Sequence, residues 1–316
     1  MQGYSINGYL NAVLRRSEKT LLLEGVTDRS LLKRLLLDHS TSQQSSAKGH
    51  IDCVQIISDP GLATLGHKVR IIEIGRAALA LPSPNREKLL AKFGTLIDRE
   101  WDGLDTSTGF PAAWSPPTQV ASSFTTIGHS IENYFFNVSG TTAYLRQSFP
   151  DDVSVPFLQD LEARFHQIVA LATSFSLQLH NKQAITRAGG AICHQSLAWN
   201  RGRYHLTDNI DGILRARGLN LPASFHALIN SDVDTYLDQY ELVEPGRWLC
   251  HGHLGEQAIW ACIGNLAIEH GMSEEVAIAI ERGSQSTRQK HAADHLCGLT
   301  AQERLPLDDA VIWLVS

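Results

Sequence analysis

Two apolar runs of the chain end in carboxylates, and these acids are the residues best suited to carry chemistry. An apolar run that ends in an acid is typical of a buried strand whose carboxyl end opens to solvent. Two such strands side by side would crowd the acids, and crowding raises their pKa values unless a cation neutralises them. Oxygen ligands favour a hard divalent ion, so the sequence predicts a site for Mg²⁺, or Mn²⁺ in its place. The acids are Glu24 and Asp28 after the run 20–23, and Asp98, Glu100 and Asp102 after the run 95–97.

The composition favours a globular, cytoplasmic protein. The chain has 316 residues, is 43% hydrophobic and carries a formal charge of -6, which allows one large domain or two ordinary ones. No apolar run approaches the ~20 residues of a membrane span, and the N-terminus lacks the apolar core of a secretory signal. The five scattered cysteines are typical of reduced thiols. The net charge gives no sign of nucleic-acid binding and does not exclude it.

Elements that would position the acids follow from the hydrophobic pattern. Strands that alternate with helices imply a mainly parallel sheet flanked by helices, and ligands of such sheets lie beyond the carboxyl ends of the strands. Asn85 is predicted to cap a helix over 86–93. The other predicted helices are 5–16 and 29–37, and the predicted strands are 20–23, 51–57, 68–74, 95–97 and 123–127.

The second half of the chain has a different character, because its apolar residues recur at helical spacing. We therefore expect an α/β catalytic domain over 1–145 and a mostly α-helical domain over 146–316 that binds a partner or the substrate. Predicted helices of this half cover 157–172, 208–217, 224–236, 255–270 and 273–282.

Three motifs resemble a known family. The E-G-x-x-D of 24–28, followed by the D-x-E-x-D of 98–102, resembles Toprim domains, which occur in topoisomerases, DnaG-type primases, recombination proteins and OLD-family nucleases. The segment 129–134, His-Ser-Ile-Glu-Asn-Tyr, resembles the H-x-I-E-N-Y of Toprim-like proteins encoded beside ATPases in bacterial anti-phage systems. The resemblance covers roughly residues 10–140. This chain departs from the family where Glu100 replaces an Asp, and where His253 follows Gly252 at the place of a Gly-Lys pair.

The resemblance implies a toxic, metal-dependent endonuclease that a partner ATPase of the ABC or SMC-like kind restrains until infection. Its substrate would be nucleic acid, with transfer RNA suggested, and a homodimer would be compatible. Metal ions stabilise the charge of a phosphodiester transition state and activate water. By resemblance, Glu24, Asp98 and Glu100 are the catalytic residues, Asp28 and Asp102 further metal ligands, and His129, Glu132 and His253 substrate-positioning residues.

Several other interpretations stay open at this point. Asp28 could simply cap the helix that follows it. The domain could be a non-catalytic binding or regulatory subunit of an ATPase complex, or a primase or topoisomerase-like enzyme. Cys250, His251 and His253 could hold zinc, although their spacing is too tight for the usual structural sites. The arginines of 187–217, interleaved with aromatic residues, could contact nucleic acid.

Overall fold

The computed structural model describes residues 3–44, 48–106, 110–111, 114–239, 244 and 246–316. The chain divides into two compact units, and neither is continuous in sequence. Unit 1 consists of Met1–Arg99, Pro116–Ile127 and Ala293–Ser316, and unit 2 of Glu100–Ser115 and Gly128–Ala292. The division differs from the expected boundary after residue 145. Residues 128–145 belong with the helical unit, and the C-terminal segment returns to the α/β unit.

Unit 1 contains a four-stranded, all-parallel sheet, so the predicted α/β class with a parallel sheet is confirmed. The strand order is β2-β1-β3-β4, with β1 between two neighbours. All four residues of β1 are buried, as expected for a central strand covered on both faces. The strands are β1 Thr20–Leu23, β2 His50–Cys53, β3 Phe93–Ile97 and β4 Ser123–Thr125.

Strand register decides which residues meet at the carboxyl edge of this sheet. Leu23 is paired with Cys53 on one side and with Leu96 on the other. Glu24 therefore emerges beside Ile97, one residue before Asp98. The register thus brings the ends of the two apolar runs together, as the sequence predicts.

Helices flank this sheet, and helix predictions at 5–16 and 29–37 are confirmed. The N-terminal helix uses Ser5 as its cap, whose side chain accepts a hydrogen bond from the Gly8 N–H. The C-terminal helix buries Leu307, Val311 and Leu314. The helices of unit 1 are α1 Ile6–Arg15, α2 Val26–Ser42, α3 His67–Leu79, α4 Asn85–Leu90 and, from the chain's C-terminus, α14 Leu307–Val315.

Three local predictions in this unit are wrong. The predicted strand 68–74 lies within α3, where Lys68, Ile71 and Ile74 are buried at helical spacing. The run of β-branched residues favours a strand, but packing of one face at every third or fourth position decides for the helix. The strand 51–57 ends at Cys53 and continues as a 3₁₀ turn, Val54–Ile56. Asn85 is the first residue of α4, and Pro84 occupies the cap position.

Unit 2 is mostly helical, as predicted for the second half of the chain. Its long central helix is buried on all sides from 168 to 179, because other helices and a hairpin surround it. Its helices are α5 Val138–Ser148, α6 Val155–Asn181, α7 Ile185–Ala188, α8 Asn209–Ala216, α9 Phe225–Gln239, α10 Gly246–Leu249, α11 Gly252–Glu269 and α12 Glu274–Arg282, while α13 Gln285–Cys297 crosses the division. The antiparallel hairpin comprises β5 Leu197–Asn200 and β6 Arg203–Leu206. Among the helices of the described residues, none combines the length and apolarity needed to cross a membrane.

Candidate active site

Glu24 and Asp98 meet at the carboxyl edge of the unit 1 sheet. The Glu24 Oε1 atom accepts a hydrogen bond from the backbone N–H of Asp98 at 2.8 Å. Both residues lie just past the end of a strand, and both are half-buried. The two acids therefore share one small region, partly shielded from water, where Coulomb interactions are stronger than at an open surface.

Residues of β2 and the turn after it hold the Glu24–Gly25 peptide from the other side. The Gln55 amide donates a hydrogen bond to the Glu24 carbonyl at 3.0 Å. The Cys53 thiol donates to the Gly25 carbonyl at 3.1 Å. Burial raises the pKa of the Cys53 thiol, so the thiol keeps the proton that it donates. These contacts fix the backbone that carries the Glu24 side chain.

Asp28 serves the start of helix α2. Its Oδ2 atom accepts a hydrogen bond from the Gly25 N–H at 2.8 Å, which satisfies a backbone donor at the helix N-terminus. This contact is the acidic half of a capping box, with Gly25 at the cap position. The capping interpretation of Asp28 thus has direct geometric support, while a role as a metal ligand stays a prediction.

Two buried cations, Lys68 and Arg99, hold the backbone segment that carries Asp98. The Lys68 ammonium, on α3, donates to the Arg99 carbonyl at 3.0 Å. Arg99 is itself only 5% exposed, and its guanidinium donates to the Ile127 carbonyl at 3.3 Å. Its backbone N–H donates to the Thr126 hydroxyl at 2.9 Å. The backbone after β3 is therefore held by side chains from α3 and from the end of β4.

The donor set of Glu24 and Asp98 fits a magnesium ion of the kind that completes its shell with water and substrate phosphate. Such an ion uses one or two protein carboxylates, and unit 1 places two on adjacent strand ends. Within the described part of the chain, no group of three or more His, Cys, Asp or Glu side chains is arranged to hold a metal. The larger predicted ligand set stays a prediction.

Glu100 and Asp102 belong to unit 2 and are both exposed. Glu100 has a backbone φ of 56°, in the left-handed region that is uncommon for residues other than glycine. Its N–H donates to the His129 carbonyl at 2.7 Å. The D-x-E-x-D pattern predicts acids at alternate positions of an extended backbone, but the backbone turns at Glu100 and is not extended there. Strained backbone of this kind is found at functional sites more often than elsewhere.

Trp101 anchors the same turn. Its indole N–H donates to the Leu249 carbonyl at 2.9 Å. The ring lies 4.3 Å from the His129 ring and 4.0 Å from the His180 ring, measured between centroids. This aromatic contact fixes the backbone between the two exposed acids.

The H-x-I-E-N-Y segment binds the chain around Cys250-His251-Gly252-His253, which lies about 120 residues later. The His129 N–H donates to the Trp248 carbonyl at 2.9 Å. The Asn133 amide donates to the carbonyls of Cys250, at 2.8 Å, and Arg247, while its oxygen accepts from the Ser130 N–H at 2.7 Å. The two motifs that sequence analysis singled out are therefore one structural feature of unit 2.

Glu132 and His253 come together at the N-terminus of α11. The Glu132 Oε1 and His253 Nδ1 atoms are 3.8 Å apart. A side chain at Gly252 would lie 2.8 Å from the other Glu132 oxygen, so the carboxylate sits directly on the first turn of the helix. An anion is stabilised there by the helix dipole. The buried Glu132 thus has a structural role, and the exposed His253 remains accessible to a ligand.

The zinc interpretation of this segment finds no support. The Cys250 thiol is fully buried, and burial raises its pKa to about 12. It contacts the Ser176 hydroxyl at 3.6 Å, whereas zinc binds thiolate. His251 accepts a hydrogen bond from the Leu254 N–H through Nδ1 and caps α11.

The basic region 187–217 offers fewer nucleic-acid contacts than its sequence suggests. Tyr204 is fully buried, and the Trp199 ring is covered by the Arg164 guanidinium at 4.1 Å. Arg203 pairs with Asp234 and Asp238. These aromatic rings are therefore engaged within unit 2, and base stacking on them would require rearrangement.

Sequence reasoning missed Lys68, Gln55 and Trp101. The β-branched run predicts a strand at Lys68, although the spacing of Lys68 from Ile71 and Ile74 matches the buried face of a helix. Gln55 and Trp101 act through backbone carbonyls, and no residue pattern predicts such contacts. Of these three residues, only Lys68 could have been found from the sequence, because it shares the helical spacing of the apolar residues Ile71 and Ile74.

Comparison of the sequence with known protein families finds no matching family, and comparison with curated proteins finds no match either. The Toprim resemblance therefore rests on the motifs quoted above. What the structure adds is a parallel sheet with an acidic pair at its carboxyl edge.

Proposed function

We propose that this chain is a Mg²⁺-dependent nuclease with a Toprim-like catalytic unit. The observation that carries the proposal is the convergence of Glu24 and Asp98 beyond adjacent parallel strands, with Glu24 Oε1 2.8 Å from the Asp98 nitrogen. The carboxyl edge of a parallel sheet is where such folds bind ligands. Mg²⁺ or Mn²⁺ held there would stabilise the charge of a phosphodiester transition state and lower the pKa of an attacking water.

The chain's own residues have distinct roles in this proposal. Asp98 and Glu24 hold the metal, and Glu24 is also the candidate to move a proton, because its carboxylate is half-buried at the same edge. Glu100 and Asp102 lie on an exposed turn of unit 2, and their role as further metal ligands stays a prediction of the resemblance. His129, Glu132 and His253, which the resemblance makes substrate-positioning residues, all belong to unit 2, and His253 is the exposed one of the three.

The biological setting of the proposal comes from the resemblance alone. Within the Toprim-like proteins, the motifs resemble those of AriB, the effector of the PARIS anti-phage system. We infer an effector that an AriA-like ATPase of the ABC or SMC-like kind restrains, and that cuts RNA, with transfer RNA as the first substrate to test. Cytoplasmic location and a homodimer belong to the same proposal.

The test uses the purified full chain with Mg²⁺ or Mn²⁺ and labelled transfer RNA, single-stranded RNA and duplex DNA. Glu24→Gln and Asp98→Asn keep side-chain size and remove charge, and each should lower the cleavage rate by at least about a hundredfold. Glu73→Gln, at an acid of unit 1 that pairs with Arg76, is the matched control and should keep full activity. Full activity in both acid variants would end the proposal.

A non-catalytic regulatory subunit is the second candidate, and two observations favour it. Asp28 is used as a helix cap, and the described residues contain no three-ligand group. Thermal unfolding separates the two candidates. A metal site should raise the melting temperature when Mg²⁺ is added, and Asp98→Asn should remove that rise. A chain without any metal response and without cleavage would be the regulatory subunit.

A further inference from the structure

Lys68 is a buried lysine that the proposed mechanism does not yet use. Lys68 is only 9% exposed, and lysines are rarely buried unless they are paired. Removing an ammonium from water is unfavourable unless nearby anions compensate. Its place in α3 is also unfavourable, because it lies in the first turn, which contains no acid. A cation there is repelled by the positive end of the helix dipole.

The Lys68 ammonium and the Glu24 carboxylate both contact the 98–99 backbone, which carries Asp98. Lys68 Nζ is 3.0 Å from the Arg99 carbonyl oxygen, and Glu24 Oε1 is 2.8 Å from the Asp98 nitrogen. Lys68 thus contacts the backbone of Arg99, and Glu24 contacts the backbone of Asp98, the residue before it. All of these groups belong to unit 1.

A backbone carbonyl alone does not account for a lysine at this position. A neutral donor would satisfy the Arg99 oxygen without the desolvation cost of a charge. What distinguishes an ammonium is its charge, and the 98–99 backbone that it contacts carries the Asp98 carboxylate and is contacted by the Glu24 carboxylate. If the Lys68 ammonium compensates the charge of these acids, both its burial and its unfavourable place in the first turn of α3 are explained.

We propose that Lys68 is the counter-charge and positioning residue of the Glu24–Asp98 site. Without metal, its ammonium neutralises part of the negative charge and holds the 98–99 backbone in place. With metal, it competes electrostatically with the bound cation and so limits how tightly the cation is held. The inference deepens the proposed function, but its charge-compensation part does not require nuclease activity.

The first test is a double-mutant cycle in metal-free buffer, measured by urea unfolding of the full chain. Lys68→Met is combined with Glu24→Gln and with Asp98→Asn. If Lys68 compensates these acids, removing an acid should cost less stability in the Lys68→Met background than in the wild type. Additive effects with both acids would overturn the proposal. Lys68→Gln, which loses the charge but keeps a donor, replaces Lys68→Met if that variant does not fold.

Lys92 provides the matched control. It is another lysine of unit 1, and its ammonium donates to the carbonyls of Leu14 at 2.8 Å and Arg16 at 2.6 Å. Lys92→Met should lower stability, yet its effect should be additive with Glu24→Gln and Asp98→Asn. Equal coupling in the Lys92 and Lys68 cycles would show a general charge effect and would refute a special role for Lys68.

The second test is Mg²⁺ binding, followed by the rise in melting temperature. Lys68→Met should bind Mg²⁺ at least about tenfold more tightly than the wild type, because a nearby positive charge has been removed. Lys68→Arg should restore the wild-type affinity, and Lys92→Met should leave it unchanged. Unchanged affinity in Lys68→Met would refute the competition. Coupling in the cycle without any Mg²⁺ binding would uphold the counter-charge and refute the proposed nuclease.

Discussion

At the scale of single residues, the acids that the sequence singles out differ in how the structure uses them. Glu24 and Asp98 meet through a side chain and a backbone N–H, whereas Asp28 caps a helix. Asn133 shows how much one side chain can do. It is fully buried and uses both its oxygen and its amide nitrogen to join chain segments that are far apart in sequence.

Asn133→Asp should destabilise unit 2 by about 3 kcal/mol in urea unfolding. The substitution keeps the shape but replaces a double donor by a carboxylate that faces two carbonyl oxygens, and a buried, unpaired charge is costly. Asn137→Asp is the control, because Asp is an equally good cap for α5 and the change gives up the 3.2 Å bond from the Asn137 amide to the Tyr134 carbonyl. That variant should lose about 1 kcal/mol or less. Similar losses at both positions would contradict the role given to Asn133.

At the scale of elements, apolar spacing predicts most helices and three of the four sheet strands at about their observed places. Its failure at 68–74 has a physical cause, since β-branched residues favour a strand locally while tertiary packing selects one helical face. The N-terminus of α11 shows a second limit. His251 caps it through Nδ1, and nothing in the sequence marks this histidine as the cap.

The α11 cap should make the protein sensitive to mild acid. Burial lowers the pKa of His251 to about 4, against an ordinary value of 6.5, so the unfolded chain takes up the proton first. Stability should therefore fall as the pH drops from 6.5 towards 4. Between pH 7 and pH 5 the loss due to His251 should be about 2 kcal/mol.

His251→Asn tests this acid sensitivity, because asparagine keeps a capping oxygen and does not titrate. Urea unfolding at pH 7 and pH 5 should show a smaller acid loss in this variant than in the wild type. An identical acid loss in the variant and the wild type would rule His251 out as the cause.

At the scale of the whole molecule, the chain builds unit 1 from three separate segments. Its last helix, α14, completes the α/β unit. The Trp313 ring lies so close to Gly94 of β3 that a side chain there would come within 2.7 Å of it. The ring also packs edge-on against Phe124 of β4, with 6.2 Å between centroids. The Lys19 ammonium, next to β1, donates to the Trp313 carbonyl at 3.0 Å.

Removal of residues 307–316 should therefore loosen the sheet that carries Glu24 and Asp98. Hydrogen exchange followed by mass spectrometry should show faster exchange in β1 and β3, while α6 in unit 2 stays protected. Ile312→Ala alters a side chain of the same helix that is 51% exposed, and it should leave exchange unchanged. Unchanged protection of β1 and β3 after the truncation would show that α14 is dispensable.

The sequence by itself predicted the α/β class, the parallel sheet and the meeting of Glu24 with Asp98, because apolar runs that alternate with helices and end in acids are visible in the local pattern. Tertiary structure alone decided the composition of each unit, the burial of Lys68 and the contact between Asn133 and Cys250. These features depend on which distant segments pack together, and such contacts cannot be predicted from the hydrophobic periodicity of the sequence.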